Sequence, residues 1–208
     1  MADWYELHPV NPQTRWLSRA ADCVRGGGVI VYPTDSCYAL GCRVSDKAAA
    51  ERLRHIRRFD RNHLFTLVCR DLSEIASYAR VDNRQYRLLK AATPGPYTLV
   101  LEATRDLPRY IPHEKRKTIG LRVPDHRVTQ ALLQALGEPL VSCTLQWPEA
   151  DQPVGDPSEW RVQLDPVVDM VLDAGACGLT PTTVIDLTGA TPEVMRRGLG
   201  DLDRLGLE

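Results

Sequence analysis

Val29-Ile30-Val31-Tyr32-Pro33-Thr34-Asp35-Ser36-Cys37-Tyr38-Ala39-Leu40-Gly41 is the stretch on which the fold reading turns. Its first four residues form an apolar run between a Gly26-Gly27-Gly28 stop and Pro33, the pattern of a strand buried on both faces. Strands of that kind belong to sheets covered by helices. The polar turn Pro33-Thr34-Asp35 then falls where loops of α/β proteins commonly meet ligands. Thr34 and Ser36 offer hydroxyls, Asp35 can bond nearby backbone, and Tyr38 combines an apolar body with a polar end. On the residues alone, a purely structural turn is the simpler reading.

Working outward, Asn11-Pro12 reads as an N-cap with a first-turn proline, and Trp16, Leu17, Ala20, Ala21 and Val24 recur at helical spacing up to the glycine stop. Downstream, Ser45 can cap a second helix whose Ala49, Leu53 and Ile56 form one stripe, with Arg52, Arg54, Arg57 and Arg58 elsewhere on its surface. A strand is expected over 65–69, helices from Asp71 (with Glu74) and from Asp82, and a turn at Thr93-Pro94-Gly95-Pro96. Further strands are expected over 98–103 and 118–123. In the second of these Gly120 and Arg122 share the face opposite Ile119, Leu121 and Val123. A helix through Val128, Leu132 and Ala135 stops at Gly137, a strand follows over 140–143, and 147–156 is a loop. After a short helix begun by Asp156-Pro157, three β-like runs over 167–172, 183–187 and 193–197 lie too close together for helical crossovers. The expected fold is therefore α/β with a twisted, mixed parallel and antiparallel sheet flanked by helices, in one domain over residues 1–208.

Composition agrees with a globular chain: of 208 residues, 43% are hydrophobic and 25% charged, which excludes a long disordered protein. No apolar run approaches the ~20 residues that cross a bilayer, and the polar opening has no signal-peptide character, so no membrane partner and a cytoplasmic location are expected. The six cysteines show no C-x-x-C pair and the five histidines no ligand spacing; reduced, mostly buried thiols and no protein-bound transition metal are expected. Charge is uneven along the chain. Residues 1–144 hold 22 Lys and Arg against 15 Asp and Glu, whereas 145–208 hold 4 against 12. Such asymmetry suits a surface that meets an anion, although a self-paired solvated surface accounts for it equally well.

Two basic elements stand out. Arg52, Arg54, Arg57, Arg58 and Arg61 are opposed locally only by Glu51 and Asp60, so that they form either a solvated helix face or a phosphate clamp. Lys115-Arg116-Lys117 runs into the strand bearing Arg122, suggesting a cationic hollow beside the sheet. There is no G-x-x-x-x-G-K-[ST] loop, no G-x-G-x-x-G fingerprint and no G-x-S-x-G elbow, which excludes the ordinary nucleotide-hydrolase, dehydrogenase and serine-hydrolase readings. The residues by themselves lead to an anion-binding α/β protein.

The Pro33–Gly41 string resembles the P-T-D-T-x-Y-G-L-G signature of the YrdC/YciO family. Thr93-Pro94-Gly95-Pro96-Tyr97-Thr98-Leu99-Val100-Leu101 is similar to that family's W-P-G-P-x-T-x-V-L, and Thr118-Ile119-Gly120-Leu121-Arg122-Val123-Pro124 to its T-[IV]-[GA]-[VL]-R-x-P. Pro181-Thr182-Thr183-Val184-Ile185-Asp186-Leu187 and Arg196-Arg197-Gly198 look like its closing elements, so the resemblance runs over residues 27–198. It implies a YrdC-like domain with a basic concave face that makes L-threonylcarbamoyl-AMP from L-threonine, bicarbonate and Mg²⁺-bound ATP for tRNA modification, and it implies double-stranded RNA or tRNA as a further partner. Carried over by position, Thr34 and Arg122 would fall in the threonine site. Thr118, Arg58 and Arg196 would face the phosphates, and Ser142 and Thr182 would supply hydroxyls.

Two departures qualify the resemblance. The family's K-x-R-P reads Ile56-Arg57-Arg58-Phe59, leaving Arg57 to replace the lysine, and its S-x-N reads Thr144-Leu145-Gln146. A misplacement of about 1 Å can cost on the order of a hundredfold in rate. Residues 65–72 and 114–120 resemble the YciO branch more than the synthases. The expected function is a YciO-type nucleotide-binding protein with weakened synthase chemistry, in which Arg57, Arg58, Thr118, Thr144 and Arg196 serve the nucleotide and Thr34, Arg122, Ser142 and Thr182 the substrate. Arg54, Arg61, Lys115, Arg116 and Lys117 would contact RNA. The alternatives are a non-catalytic RNA binder and a hydrolase of a related carbamoyl or acyl nucleotide.

Overall fold

The structure, a computed structural model, describes residues 1–60, 63, 65–111 and 117–207. Ten strands form one mixed sheet. They are β1 (Asp3–Glu6), β2 (Ile30–Tyr32), β3 (Ala39–Arg43), β4 (Thr66–Val68), β5 (Tyr97–Glu102), β6 (Thr118–Arg122), β7 (Leu140–Thr144), β8 (Met170–Asp173), β9 (Thr183–Asp186) and β10 (Glu193–Arg196). Their order is β1-β8-β2-β3-β7-β4-β6-β5-β9-β10. The mixed sheet expected from the spacing of the late strands is present: β9 joins β5 in parallel and β10 in antiparallel fashion, while β8 inserts between β1 and β2, parallel to both.

Helices α1 (Thr14–Arg25), α2 (Lys47–Arg57), α3 (Leu72–Tyr78), α4 (Asn83–Ala92) and α5 (Arg127–Leu136) pack on the sheet, and a short α6 (Arg161–Leu164) follows the 147–156 loop. One face carries the core of α1 and α5, in which Leu17, Val24, Val128 and Leu132 meet Ile30, Tyr32 and Leu140. The other packs Leu53, Ile75 and Leu89 of α2, α3 and α4 against Leu67, Leu99 and Leu121. Asp82 and Gln85 form a complete capping box at the start of α4, as Asp71 caps α3 through the Glu74 amide.

Several element boundaries differ from expectation. Helix α1 starts after Gln13, because the His8 ring accepts from the Val10 and Asn11 amides and holds Asn11-Pro12 in a turn ahead of the helix. Helix α2 is capped by Asp46 rather than Ser45, its carboxylate accepting from Ala49 N at 2.9 Å. Strand β1 carries no apolar run, and β3 is built mostly of small residues. Strand β1 is held by pairing with β8 and by a 2.7 Å bond from Trp4 Nε1 to Asp165. Strand β3 needs Gly41, since a Cβ there would come within 2.7 Å of the Tyr32 ring.

Small side chains line up across the face that α1 and α5 leave open. Gly41 pairs with Ser142, Ser142 with Thr66 and Thr66 with Gly120, giving the sheet a shallow floor between larger neighbours. The chain end closes this floor: Gly198 N donates to Thr183 Oγ1 at 3.0 Å and Leu199 N to Pro181 O at 2.8 Å. A Cβ on Gly198 would sit 2.3 Å from Pro181 O and 2.5 Å from Thr182 C, against backbone that cannot swing aside. Gly198→Ala is therefore expected to destabilise the fold by about 1–3 kcal/mol. Gly189→Ala, whose nearest neighbour would be 3.5 Å away, should stay within about 0.5 kcal/mol of the parent. Urea unfolding of the two variants checks both values, and equal stability of the pair would contradict the close approach.

Candidate functional site

A cleft of about 250 Å³ opens over the small-residue floor. Strands β3 to β7 contribute Ala39, Val68, Thr98, Arg122 and Thr144 among others, and β9 and β10 add Val184 and Arg196. Behind one wall lies the Thr34–Ser36 turn. Thr34 Oγ1 donates to Cys37 O at 2.6 Å and accepts from the Ser36 and Cys37 amides, each at 3.2 Å, which closes the turn on itself. Arg122 reaches it from β6: one guanidinium nitrogen, Nη2, bonds Thr34 Oγ1 at 3.2 Å, Ser36 Oγ at 2.9 Å and the Asp35 carboxylate. Asp35 also accepts from Asp125 N at 3.0 Å. Arg122 is 7% exposed, and its Nε is buried without a hydrogen-bond partner. Buried donors without a partner are uncommon in folded proteins.

Two further guanidinium groups line the cleft, those of Arg57 and Arg196. Arg196 is moored by Nε and Nη2 to Thr182 O at 3.1 and 3.0 Å, and Thr182 Oγ1 bonds Thr98 Oγ1 at 2.8 Å. Desolvation pulls the pKa of both Arg57 and Arg196 downward, with Arg122 adding to the effect at Arg196. The Arg57 Nε is also buried without a partner. Among the described residues no carboxylate pairs with Arg57 or Arg196, and none lines the cleft. Arg57 and Arg196, without carboxylate partners, and Arg122, paired with Asp35, share the cleft with hydroxyls of Ser142, Thr144 and Thr182, a composition suited to a polyvalent anion.

His63 also lines the cleft, and burial together with Arg57 and Arg54 lowers its pKa to about 4, so the ring is neutral near pH 7. The cleft thiols are inert. Burial raises Cys37 and pushes Cys143 up to about 12. Ser142 Oγ donates to Leu40 O at 2.8 Å and bonds the buried Tyr32 hydroxyl at 2.6 Å, with no base beside it. The site is thus equipped to hold and polarise an anion rather than to attack it covalently. All six cysteines are free thiols, and among the described residues no group of three His, Cys, Asp or Glu could hold a metal ion.

Of the residues singled out from the sequence, Arg57, Arg122, Ser142, Thr144, Thr182 and Arg196 converge on the cleft, with Thr34 buried directly behind it. Others lie elsewhere. Arg58, in the left-handed conformation that ends α2 (φ 50°), points outward and pairs with Glu149 of the 147–156 loop. Thr118 is buried at the start of β6, away from the lining. Arg54 is not on the helix surface: it lies over the Phe65 ring at 4.4 Å and donates to Asp60 O at 2.9 Å, because the apolar stripe of α2 is wide enough to bury it. Lys117 lines a separate cavity of about 740 Å³ with Arg80, Arg105 and Arg109. Arg61, Lys115 and Arg116 lie outside the described residues. Sequence reasoning missed Phe59, His63, Thr66 and Met195, which have no motif of their own; the signal available was that Phe59 and His63 adjoin the arginine cluster.

Comparison with known proteins bears on this geometry. The family model Sua5_yciO_yrdC, described as "Telomere recombination", matches residues 22–198. The Escherichia coli K12 protein YciO, itself uncharacterised, is 51% identical over 202 residues, 97% of this chain and 98% of its own. The crystal structure of E. coli YciO superposes with a TM-score of 0.95, covering 99% of this chain and all of that one. A threonylcarbamoyl-AMP synthase of Xanthomonas campestris is 32% identical over 193 residues, 89% of this chain and 99% of its own. P. abyssi Sua5 complexed with L-threonine shares the fold, with a TM-score of 0.86 at 22% identity over 94% of this chain and 57% of that one. No described helix is long and apolar enough to cross a membrane. With the signature turn, the β6 arginine and the closing strands all in place around one cleft, the chain belongs to the Sua5/YciO/YrdC family and is related to the threonylcarbamoyl-AMP synthases.

Proposed function

We propose that the cleft binds ATP and L-threonine and runs threonylcarbamoyl-AMP synthase chemistry at a reduced rate. The observation that carries this reading is the convergence of Arg57, Arg122 and Arg196 on one cleft with no carboxylate in its lining. Arg122 Nε, buried and without a partner, is the donor for the threonine carboxylate, while its Nη2 stays committed to the Thr34–Ser36 turn. Arg57 and Arg196 take the phosphates of ATP, which brings its Mg²⁺ as part of the substrate. The relation to the Xanthomonas synthase and the threonine bound by P. abyssi Sua5 support this assignment.

The reaction requires no protein nucleophile. The threonine amine forms a bond to the bicarbonate carbon with loss of water, a carbamate oxygen then bonds the α-phosphorus, and the bond to the leaving pyrophosphate breaks. Negative charge grows on the departing phosphates, where fixed guanidinium groups act without reorganisation. Two features slow the step. Arg58, at the position matching the family arginine, is turned to Glu149, and Gln146 Nε2, at the edge of the cleft, is engaged by Ala150 O at 2.8 Å.

Tripartite dependence of product on ATP, threonine and bicarbonate, followed by mass spectrometry of threonylcarbamoyl-AMP, tests the proposal. Arg57→Gln and Arg196→Gln are each expected to lower turnover about 10²–10³-fold, whereas Arg58→Ala should leave it within about twofold, the usual scale for an exposed ion pair. No product from folded protein that binds ATP would reject the synthase reading.

Arg122→Ala carries a second consequence, since it strands Asp35 and should cost about 3–5 kcal/mol of stability; unfolding as easy as in the parent would contradict the buried pair.

His63 provides a pH test. The folded ring takes a proton only near pH 4 and the unfolded ring near 6.5, so stability declines as pH falls through that window. A bound polyphosphate offsets Arg57 and Arg54, and the His63 titration followed by NMR should move upward with ATP. An unchanged midpoint at saturating ATP would place the phosphates elsewhere.

RNA is the second ligand we propose, at the cavity of Arg80, Arg105, Arg109 and Lys117, where Glu102 is the single carboxylate among the described lining residues. Arg105→Ala combined with Arg109→Ala should flatten the salt dependence of RNA binding by about two in the log–log slope; an unaltered slope would exclude this surface.

A further inference from the structure

The rings of Phe59 and His63 stack in the cleft wall with centroids 3.3 Å apart and planes 12° apart. Both follow Arg58, whose left-handed conformation ends α2. Phe59 is half-buried against the core, and the Arg57 guanidinium lies 4.8 Å from its ring centroid. The core and Arg57 thus fix the inner partner of the pair. His63 is held differently. Neither of its ring nitrogens has a hydrogen-bond partner among the described residues, and its only ring contact is the stack on Phe59. Among the described residues, the stack on Phe59 is what orients its ring.

Cations and a flat π-surface in one cleft are what a nucleoside phosphate needs: its phosphates bind guanidinium groups and its base stacks on a ring face. We propose that the Phe59–His63 pair is the stacking platform for the base of the nucleotide whose phosphates Arg57 and Arg196 hold. This rests on the nucleotide reading above and extends it, making the base, and not only the phosphates, part of what the cleft recognises. A neutral imidazole fits the role, because a fourth positive charge beside Arg57 would disturb the inner cation while adding nothing to the stack.

Calorimetric titration of the full chain with ATP and, separately, with inorganic tripolyphosphate tests the platform. His63→Ala is expected to weaken ATP about tenfold and to leave tripolyphosphate binding unchanged. His63→Phe, which restores a ring without the nitrogens, should return ATP affinity to the parent level. Equal ATP affinity in the parent and His63→Ala would overturn the platform while leaving the nucleotide reading intact. So would parallel weakening of both probes, or failure of His63→Phe to restore binding. A parent protein that binds neither probe would overturn the nucleotide reading itself and the platform with it.

Discussion

Arg122 holds the site together. Its guanidinium comes from β6 and is almost wholly buried, and a buried charge is tolerated only when it is paired and hydrogen-bonded. Asp35 supplies the charge and Thr34 and Ser36 the remaining acceptors, so the loop after β2 is tied to a strand four places away in the sheet. The second Asp35 oxygen bonds the Asp125 amide and secures the entry to α5. One nitrogen of the guanidinium is spent on this scaffold, and Nε is left buried without a partner. The same side chain thereby ties the Thr34–Ser36 turn to β6 and lines the cleft.

The remaining chemistry follows from what surrounds that donor. Cleft thiols are held protonated by burial, and Ser142 is engaged by Leu40 O and the Tyr32 hydroxyl, so no nucleophile is prepared. Cations without carboxylate partners are prepared instead. This balance suits a reaction in which two substrates are brought together and charge moves to a leaving phosphate. The cleft floor is kept shallow by Thr66 and Ser142, while Gly41 at the same register lets the Tyr32 ring pack against β3.

Much of this was legible in the sequence, for physical reasons that can be named. The β2 run and the alternation in β6 reported burial directly, and the alternation placed Arg122 on the polar side of its strand. The late strands reported a mixed sheet by their spacing. Strand β3 was not legible because Ala39, Gly41 and Cys42 are small and their burial depends on Tyr32 and β7, which are distant in sequence or supplied by the turn. Strand β1 was missed because pairing with β8 outweighs its polar composition. In α2 the arginines could be counted but not aimed. Helical spacing does not disclose that Arg58 ends the helix in a left-handed conformation, which turns it to Glu149 and leaves Arg57 in the cleft, nor that Arg54 is drawn over Phe65. His63 had no pattern around it; only the stack on Phe59 gives it a place.

On the proposed function, the cleft over the β6 arginine, rather than any other basic surface of the molecule, receives the substrates. A crystal structure of the protein grown with L-threonine and a non-hydrolysable ATP analogue tests it most directly. The predicted result is the threonine carboxylate bonded to Arg122 Nε with the phosphates on Arg57 and Arg196. Ligand ordered instead in the cavity of Arg80, Arg105, Arg109 and Lys117, with the cleft empty and Arg122 Nε still unpartnered, would contradict it.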